Sequence, residues 1–186
     1  VRALVTLHAL GLLLRSKRQS EAHDEVESVF TGISRPDVNC WNEVLQSRAE
    51  RGHWGGVMSG FIKMQAQDVV PDCESYRILT SAHHSADDVD GVVWSVRKWG
   101  ESGAQMDLEF IQRIILATQE LQGKLGARKV WKEAGRWMPT ISMSFEESLG
   151  QITEEERLLE MASRLDEEAM AEKGIEIERE MLEASS

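Results

Sequence analysis

Apolar side chains recur along this chain at an interval of 35 residues. Within one interval they fall at helical spacing in two groups, which predicts two amphipathic helices per interval. The repeating positions form five sets: Trp41, Tyr76 and Ile111; Val44, Leu79 and Ile114; Val57, Val92 and Ala127; Phe61, Val96 and Trp131; Met64, Trp99 and Ala134.

Turn-forming residues separate the two predicted helices of each interval. The segment 50–53 is polar and contains Gly52, which suits a tight turn. In the next copy the segment 85–88 ends in two aspartates, and an aspartate there can cap the following helix. Each interval therefore reads as helix, turn, helix and connection.

Proline and aspartate mark where one interval ends and the next begins. Pro36-Asp37 and Pro71-Asp72 are 35 residues apart, and Asp107 follows at the same distance. Because proline blocks helix continuation, these positions close the preceding helix. The spacing predicts repeats at about 4–37, 38–72, 73–107 and 108–141, of which the first and last are less regular.

The predicted fold follows from how such hairpins bury their apolar sides. One helical hairpin cannot cover its own apolar face, whereas stacked hairpins bury these faces against each other. We predict an all-α protein with an α-solenoid of helix-turn-helix repeats over 1–141.

A different pattern covers residues 142–186. Thr153 and Glu156 have the spacing of a capping box, and Leu158 and Leu165 lie on one side of the helix that would follow. We predict an acidic amphipathic helical extension over 153–184. It would either cap the end of the solenoid or dock onto a basic surface of a partner.

Charge is concentrated in that extension. The chain has 21 Lys and Arg against 32 Asp and Glu, a net charge of -11. Residues 141–186 hold 14 of the acidic and 4 of the basic side chains, so residues 1–140 carry a net charge of only -1. This balance argues against a generic basic nucleic-acid binder.

The sequence contains no catalytic signature. It has no phosphate-binding glycine loop, no nucleophile elbow and no zinc-protease helix. His83 and His84 precede Asp87 and Asp88, but this segment falls at a predicted turn, where aspartates cap helices. We therefore predict no enzymatic activity, no cofactor and no metal site.

No apolar run is long enough to insert into a membrane. The longest, Ala3–Leu14, precedes Arg15, whereas a signal peptide carries its charge before the apolar run. We interpret this run as a helix of the fold, and no targeting segment is visible.

The repeat resembles that of the pentatricopeptide repeat family. The resemblance rests on the 35-residue hairpin, the aromatic residue near its start and the Pro-Asp at its end. It covers about 4–141 and is best in 38–107, where one copy reads Val38-Asn39-Cys40-Trp41-Asn42-Glu43-Val44-Leu45, then Phe61-Ile62-Lys63-Met64, then Val70-Pro71-Asp72. The resemblance implies a location in the mitochondrion or plastid.

The family also suggests candidate RNA-binding residues. Pentatricopeptide proteins that bind RNA read about one base per repeat, and by resemblance the fifth and last residues of a repeat discriminate the base. Asn42 and Asp72 form a pair that implies uracil, whereas Arg77 and Asp107 lie outside the common combinations, and Gln112 is the fifth residue of the fourth copy. Of these combinations, only Asn42 with Asp72 is a standard pair.

Five basic residues in the last repeat recur at three- and four-residue steps and would share one helix face. They could contact phosphate or the acidic extension. They are Lys124, Arg128, Lys129, Lys132 and Arg136.

Two functional hypotheses remain. In the first, the protein is a non-enzymatic scaffold subunit of an organellar multiprotein assembly and binds other protein subunits. Its interface candidates are Trp54, Trp94 and Trp137, which lie outside the apolar sets, together with Leu158 and Leu165. In the alternative, the protein binds single-stranded RNA in organellar RNA processing or translation.

Overall fold

The computed structural model describes residues 2–19, 22–139 and 141, with side chains from residue 9 onward. Within these residues the chain is all-α, with seven helices and no strand. The acidic extension predicted over 142–186 lies outside the described residues. The helices are α1 (Arg2–Gln19), α2 (His23–Thr31), α3 (Val38–Glu50), α4 (Trp54–Ala66), α5 (Cys73–Ser85), α6 (Val89–Ser102) and α7 (Leu108–Trp137).

The helices pair as successive hairpins of an α-solenoid. The first helices of three hairpins begin at Val38, Cys73 and Leu108, which repeats the predicted interval. The fourth hairpin is formed within α7, because Gly123 has φ 72° and ψ -173° and interrupts the helix. The second half of α7 therefore starts at residue 124, 35 residues after the start of α6.

Aspartates fix the starts of the repeats. The side chains of Asp37, Asp72 and Asp107 each accept a hydrogen bond from the backbone N–H three residues further on, at 2.9, 3.0 and 3.0 Å. This is the N-cap interaction, which satisfies one of the free amides at the end of a helix. The Pro-Asp signal in the sequence thus corresponds to real helix starts.

The turns also repeat. Gly52 has φ 71°, and Asp87, 35 residues later, has φ 55°. Asp68 with φ 58° and Gly103 with φ 71° form a second such pair in the connections after α4 and α6. Glycine and, less readily, aspartate tolerate this left-handed region, so the chain reverses at the same repeat positions.

The core lies between the helices of each hairpin and its neighbours. Of the fifteen residues in the five apolar sets, all are buried except Trp131, which is half-buried. Aromatic rings form a chain through the core: Phe61 contacts Tyr76 of the next repeat at 5.3 Å between centroids, Tyr76 stacks on Trp99 within its own repeat at 5.8 Å, and Trp99 contacts Phe110 of the following repeat at 6.1 Å. The predicted core positions are therefore confirmed, with Trp131 only partly so.

The packing order places one helix of each hairpin on a common side. Helix α3 packs against α1 and α5, and α5 also contacts α7. The second helices pack behind them, with α6 between α5 and the second half of α7. None of the described helices combines the length and the low polarity that a bilayer-spanning segment requires.

Candidate interaction groove

An open groove runs along α1, α3, α5 and the start of α7. Its two adjoining parts share Arg18, Gln46, Glu74 and Ile78, so they form one continuous surface. We call it the A-helix groove and define its charged lining by Arg15, Arg18, Glu43, Asp72, Glu74 and Arg77. Asn42 and Phe110 also line it.

Asn42 is held in the floor of this groove. Its Nδ2 donates to Asp72 Oδ1 at 3.0 Å, and its Oδ1 accepts from the hydroxyl of Ser75 at 2.6 Å. Asp72 and Ser75 in turn form the capping box that starts α5. Because only 7% of Asn42 is exposed, both ends of its side-chain amide form their hydrogen bonds mainly within the protein.

Arg77 is held in an equivalent way one repeat later. Its Nη1 lies 3.3 Å from Asp107 Oδ2 and 3.7 Å from Glu74 Oε2. The guanidinium also lies over the ring of Phe110, 5.2 Å from the centroid, in cation–π geometry. Asp107 meanwhile caps α7.

The structure thus brings together the predicted fifth and last residues of two repeats. Asn42 contacts Asp72, and Arg77 contacts Asp107, with the same separation of 30 residues in the chain. In both pairs the aspartate also caps the next helix. Gln112 occupies the equivalent fifth position in α7 and is half-buried. Position 142, which is 30 residues further on, lies outside the described residues.

The groove also contains an ion-pair cluster that the sequence analysis did not identify. Arg18 in α1 donates through Nε to Glu43 at 2.8 Å and also bonds Glu50 in α3. Arg15 lies 4.0 Å from Glu43. Burial lowers the pKa of Arg18, but the two glutamates outweigh it and the net shift is upward. No spacing rule signals this cluster, because Arg18 and Glu43 lie in different hairpins.

The arginines that line the groove are all paired with carboxylates. Each of Arg15, Arg18 and Arg77 lies within 4.0 Å of a carboxylate. The described groove therefore offers guanidiniums that are already compensated, in contrast to the uncompensated cations with which proteins neutralise phosphates.

The predicted basic patch lies elsewhere. It belongs to the second half of α7, which packs against α6 through bonds from Arg97 to Glu133. Within the patch, Lys129 Nζ lies 3.2 Å from Asp90, and Arg136 Nη1 lies 3.0 Å from Glu133. The patch is therefore not part of the A-helix groove, which is lined by the other helix of each hairpin.

The three tryptophans proposed for interfaces differ in exposure. Trp94 and Trp137 are 40% and 41% exposed, whereas Trp54 is half-buried at the start of α4. Trp94 meets His83 edge to face at 6.1 Å, and Trp137 donates through Nε1 to Glu133 at 3.4 Å. The other two candidates, Leu158 and Leu165, lie outside the described residues.

The histidine-rich turn is used for capping. Asp88 Oδ1 accepts from the backbone of Gly91 at 2.8 Å, and its Oδ2 lies 2.8 Å from His83 Nδ1. The bond from Gly91 and the neighbouring imidazole hold the pKa of Asp88 below its usual value. In the part of the chain that the structure describes, no three His, Cys, Asp or Glu side chains are grouped so as to hold a metal ion.

The two cysteines also differ in environment. Cys40 is buried, and burial together with Asp37 raises the pKa of its thiol to about 12. A thiol with so high a pKa is a poor nucleophile at neutral pH. Burial also raises the pKa of Cys73, which is half-buried.

Comparison with known proteins gives a limited similarity. No family model matches the sequence. The chain is 32% identical over 59 residues to a chloroplastic pentatricopeptide repeat-containing protein of Arabidopsis thaliana. This stretch covers 32% of the present chain and 7% of the Arabidopsis protein, so the chain corresponds to a small part of that relative. The similarity is a partial, low-identity relationship to a pentatricopeptide repeat protein.

Proposed function

We propose that this protein is a non-enzymatic helical-repeat scaffold, a subunit of a multiprotein assembly in the mitochondrion or plastid. The observation that carries the proposal is the compensation of the groove arginines. Arg18 is paired with Glu43 and Glu50, and Arg77 with Asp107 and Glu74. A groove with compensated cations suits protein contacts better than a phosphate backbone.

The partial relationship to a chloroplastic repeat protein supports the organellar location. Exposed Trp94 and Trp137 support protein contacts, because tryptophan is enriched among the anchors of protein interfaces.

Single-stranded RNA is the second candidate partner. The specific observation in its favour is the contact between Asn42 and Asp72, which places a pair of base-discriminating type together in the groove. Against it, the Asn42 amide is bonded at both ends, so a base would have to replace or share these bonds.

RNA binding by the full chain separates the two candidates. Binding to a random single-stranded RNA pool is measured at about 50 and about 200 mM salt, the range over which phosphate-driven affinity changes steeply. The scaffold proposal expects no measurable binding at either salt. Salt-sensitive binding that weakens in Arg77→Ala, but not in the control Lys98→Ala on α6, would contradict it.

Assembly can be measured directly in organelle extracts. The protein, expressed at its native level, is expected to migrate in a complex much larger than 21.0 kDa, both before and after ribonuclease treatment. Migration as a monomer, or collapse of the complex after ribonuclease, would contradict a protein scaffold.

A further inference from the structure

The contact between α6 and the second half of α7, residues 124–137, joins a guanidinium to a carboxylate and a glycine to an indole. Arg97 donates to both oxygens of Glu133, each at 3.2 Å. Three residues after Arg97, Gly100 leaves room for the indole of Trp137, which follows Glu133 by four residues. A carboxylate and an indole one helical turn apart therefore pack on a cation and a glycine of the neighbouring helix.

The repeat places the same two residue types on the side of α7 that faces away from α6. Adding the 35-residue interval to Arg97 and Gly100 gives Lys132 and Gly135. Lys132 is exposed and, among the described residues, forms no ion pair. A Cβ added at Gly135 would meet no described atom within 4 Å. The second half of α7 thus presents again the cation and the glycine that α6 presents to α7.

Apolar side chains accompany this pair. Trp131 follows Val96 by 35 residues, but Val96 is fully buried whereas Trp131 is half-buried. Leu125 is half-buried as well. We call this surface the outer face of α7 and define it by Leu125, Trp131, Lys132 and Gly135. A helix packed on it, as the second half of α7 packs on α6, would bury the remaining apolar surface.

The charge of this helix favours an acidic partner. Residues 124–137 contain five basic side chains and one acidic side chain, a net charge of +4. The acidic residue, Glu133, is only 4% exposed and is already bonded to Arg97 and Arg136. The exposed charge of the helix is therefore positive, although the whole chain has a net charge of -11.

From these equivalent positions we infer that the outer face of α7 docks an acidic helix of a partner protein, with a carboxylate at Lys132 and, four residues later, a large apolar side chain over Gly135. The inference rests on the proposed scaffold function and specifies the surface and the chemistry of the partner. A phosphate backbone would pair with Lys132 but would leave Trp131 and Leu125 uncovered, so a protein helix is the better match.

A designed helical peptide tests the inference on the full chain. The probe is a fluorescein-labelled peptide of about 20 residues, long enough to be helical in water, on an alanine and glutamine background. It carries leucine, glutamate and tryptophan at successive four-residue steps. In the control peptide, lysine replaces the glutamate and alanine replaces the tryptophan. Anisotropy at physiological salt should show binding of the probe and no binding of the control.

Lys132→Gln tests the ion pair. It should weaken binding of the probe by about two- to five-fold, the range of one exposed ion pair. The matched control is Lys63→Gln, because Lys63 is an exposed lysine of α4, which packs against α3 and α5. This control should change the affinity by less than about two-fold.

Gly135→Ala tests the glycine seat. Its Cβ would occupy the space of the incoming tryptophan, so the probe should bind about five-fold more weakly or worse. The variant should nevertheless be at least as stable as the parent, because alanine favours a helix and the position is open. Lower affinity without lower stability separates this outcome from a loss of structure. Gly55→Ala, at an equally open position in α4, should leave the affinity unchanged.

Four outcomes would overturn the inference: no binding of the probe, equal weakening by Lys132→Gln and Lys63→Gln, unchanged affinity in Gly135→Ala, or self-association of the chain that Lys132→Gln abolishes. The last would make a second copy the occupant. If the probe does not bind but the protein still migrates in a large ribonuclease-resistant complex, only this inference fails. Binding of a uridine dodecamer that falls in Lys132→Gln would contradict the scaffold function as well.

Discussion

The indole ring of Trp137 lies directly against the backbone of Gly100 and joins the end of α7 to α6. A Cβ atom added at Gly100 would stand 2.2 Å from the ring, far inside van der Waals contact. The glycine is therefore required by close packing, since its φ is not positive.

Gly100→Ala is expected to lower the free energy of unfolding by about 1–3 kcal/mol, because the indole must move away from α6. Urea unfolding of the two proteins measures this difference. Gly135→Ala in α7 is the control: a Cβ there meets no atom within 4 Å, so better helix propensity should add about 0.5–1 kcal/mol. Equal effects of the two substitutions would show that Trp137 does not pack as described.

Asn42→Ala tests the bonds that join the second and third repeats. Ser75 and Asp72 each lose a partner at a site where Asn42 is 7% exposed. Because lost bonds at buried groups are costly, we expect a destabilisation of about 1–3 kcal/mol. Gln46→Ala, in the same helix, removes only a bond to Glu50 at the surface and should change stability by less than about 0.5 kcal/mol. A cost for Asn42→Ala as small as that of the control would contradict a stabilising role.

Glu133 should make stability depend on pH in the acid range. It is 4% exposed; burial raises its pKa, but its bonds to Arg97 and Trp137 and the charge of Arg136 outweigh this and lower it. A carboxylate with a lowered folded-state pKa contributes stability above its unfolded pKa and loses it as the pH falls through the folded pKa. Stability should therefore fall below about pH 4.3, the ordinary value for glutamate.

The variant Glu133→Gln isolates this contribution. At neutral pH it should be less stable than the parent by about 1–3 kcal/mol, and the difference should shrink as the pH falls from about 4.3, the ordinary pKa of glutamate, through the lowered folded-state pKa of Glu133. Thermal unfolding from pH 7 to pH 3 measures both effects. A difference that stays constant across this range would contradict the assignment, and the exposed Glu101→Gln should show little pH-dependent difference.

Asp87 tests the left-handed turn positions. Its φ of 55° is one that aspartate adopts at a cost and glycine adopts freely, and glycine stands at the equivalent position 52. Asp87→Gly is expected to stabilise the protein by up to about 1 kcal/mol in urea unfolding. Asp90→Gly, inside α6, should instead destabilise it by about 0.5–1 kcal/mol because glycine weakens helices. Destabilisation by both would contradict the proposed benefit at the turn.

The sequence predicted the fold well because the relevant signals are local and repeated. Proline followed by aspartate at 36–37 and 71–72 predicts where α3 and α5 begin, because proline ends one helix and aspartate caps the next. Adding the 35-residue interval predicts the start of α7 at Leu108. The apolar sets predicted the core for the same reason. Trp131 is the exception, half-buried although Phe61 and Val96 in its set are buried.

The groove was only partly predictable. The family resemblance named Asn42 and Asp72 as a pair, and the structure brings them to 3.0 Å. The pairing of Arg18 with Glu43 depends on how the first hairpin packs against the second, which no periodicity specifies. Arg77 illustrates the same limit, since its contact with Phe110 depends on side-chain orientation across two repeats.

Asp72 and Asp107 each belong to two repeats at once, because each caps a new helix while binding the fifth residue of the repeat that ends with it. In a linear array of repeats, the contacts between neighbouring repeats determine how the unfolding of one repeat affects the next. If the chain is stretched from its ends, unfolding one hairpin removes the N-cap of one helix. It also removes the bonding partner of a fifth residue in the neighbouring repeat. The repeats from 38 to 137 should therefore yield under force as a group rather than one hairpin at a time.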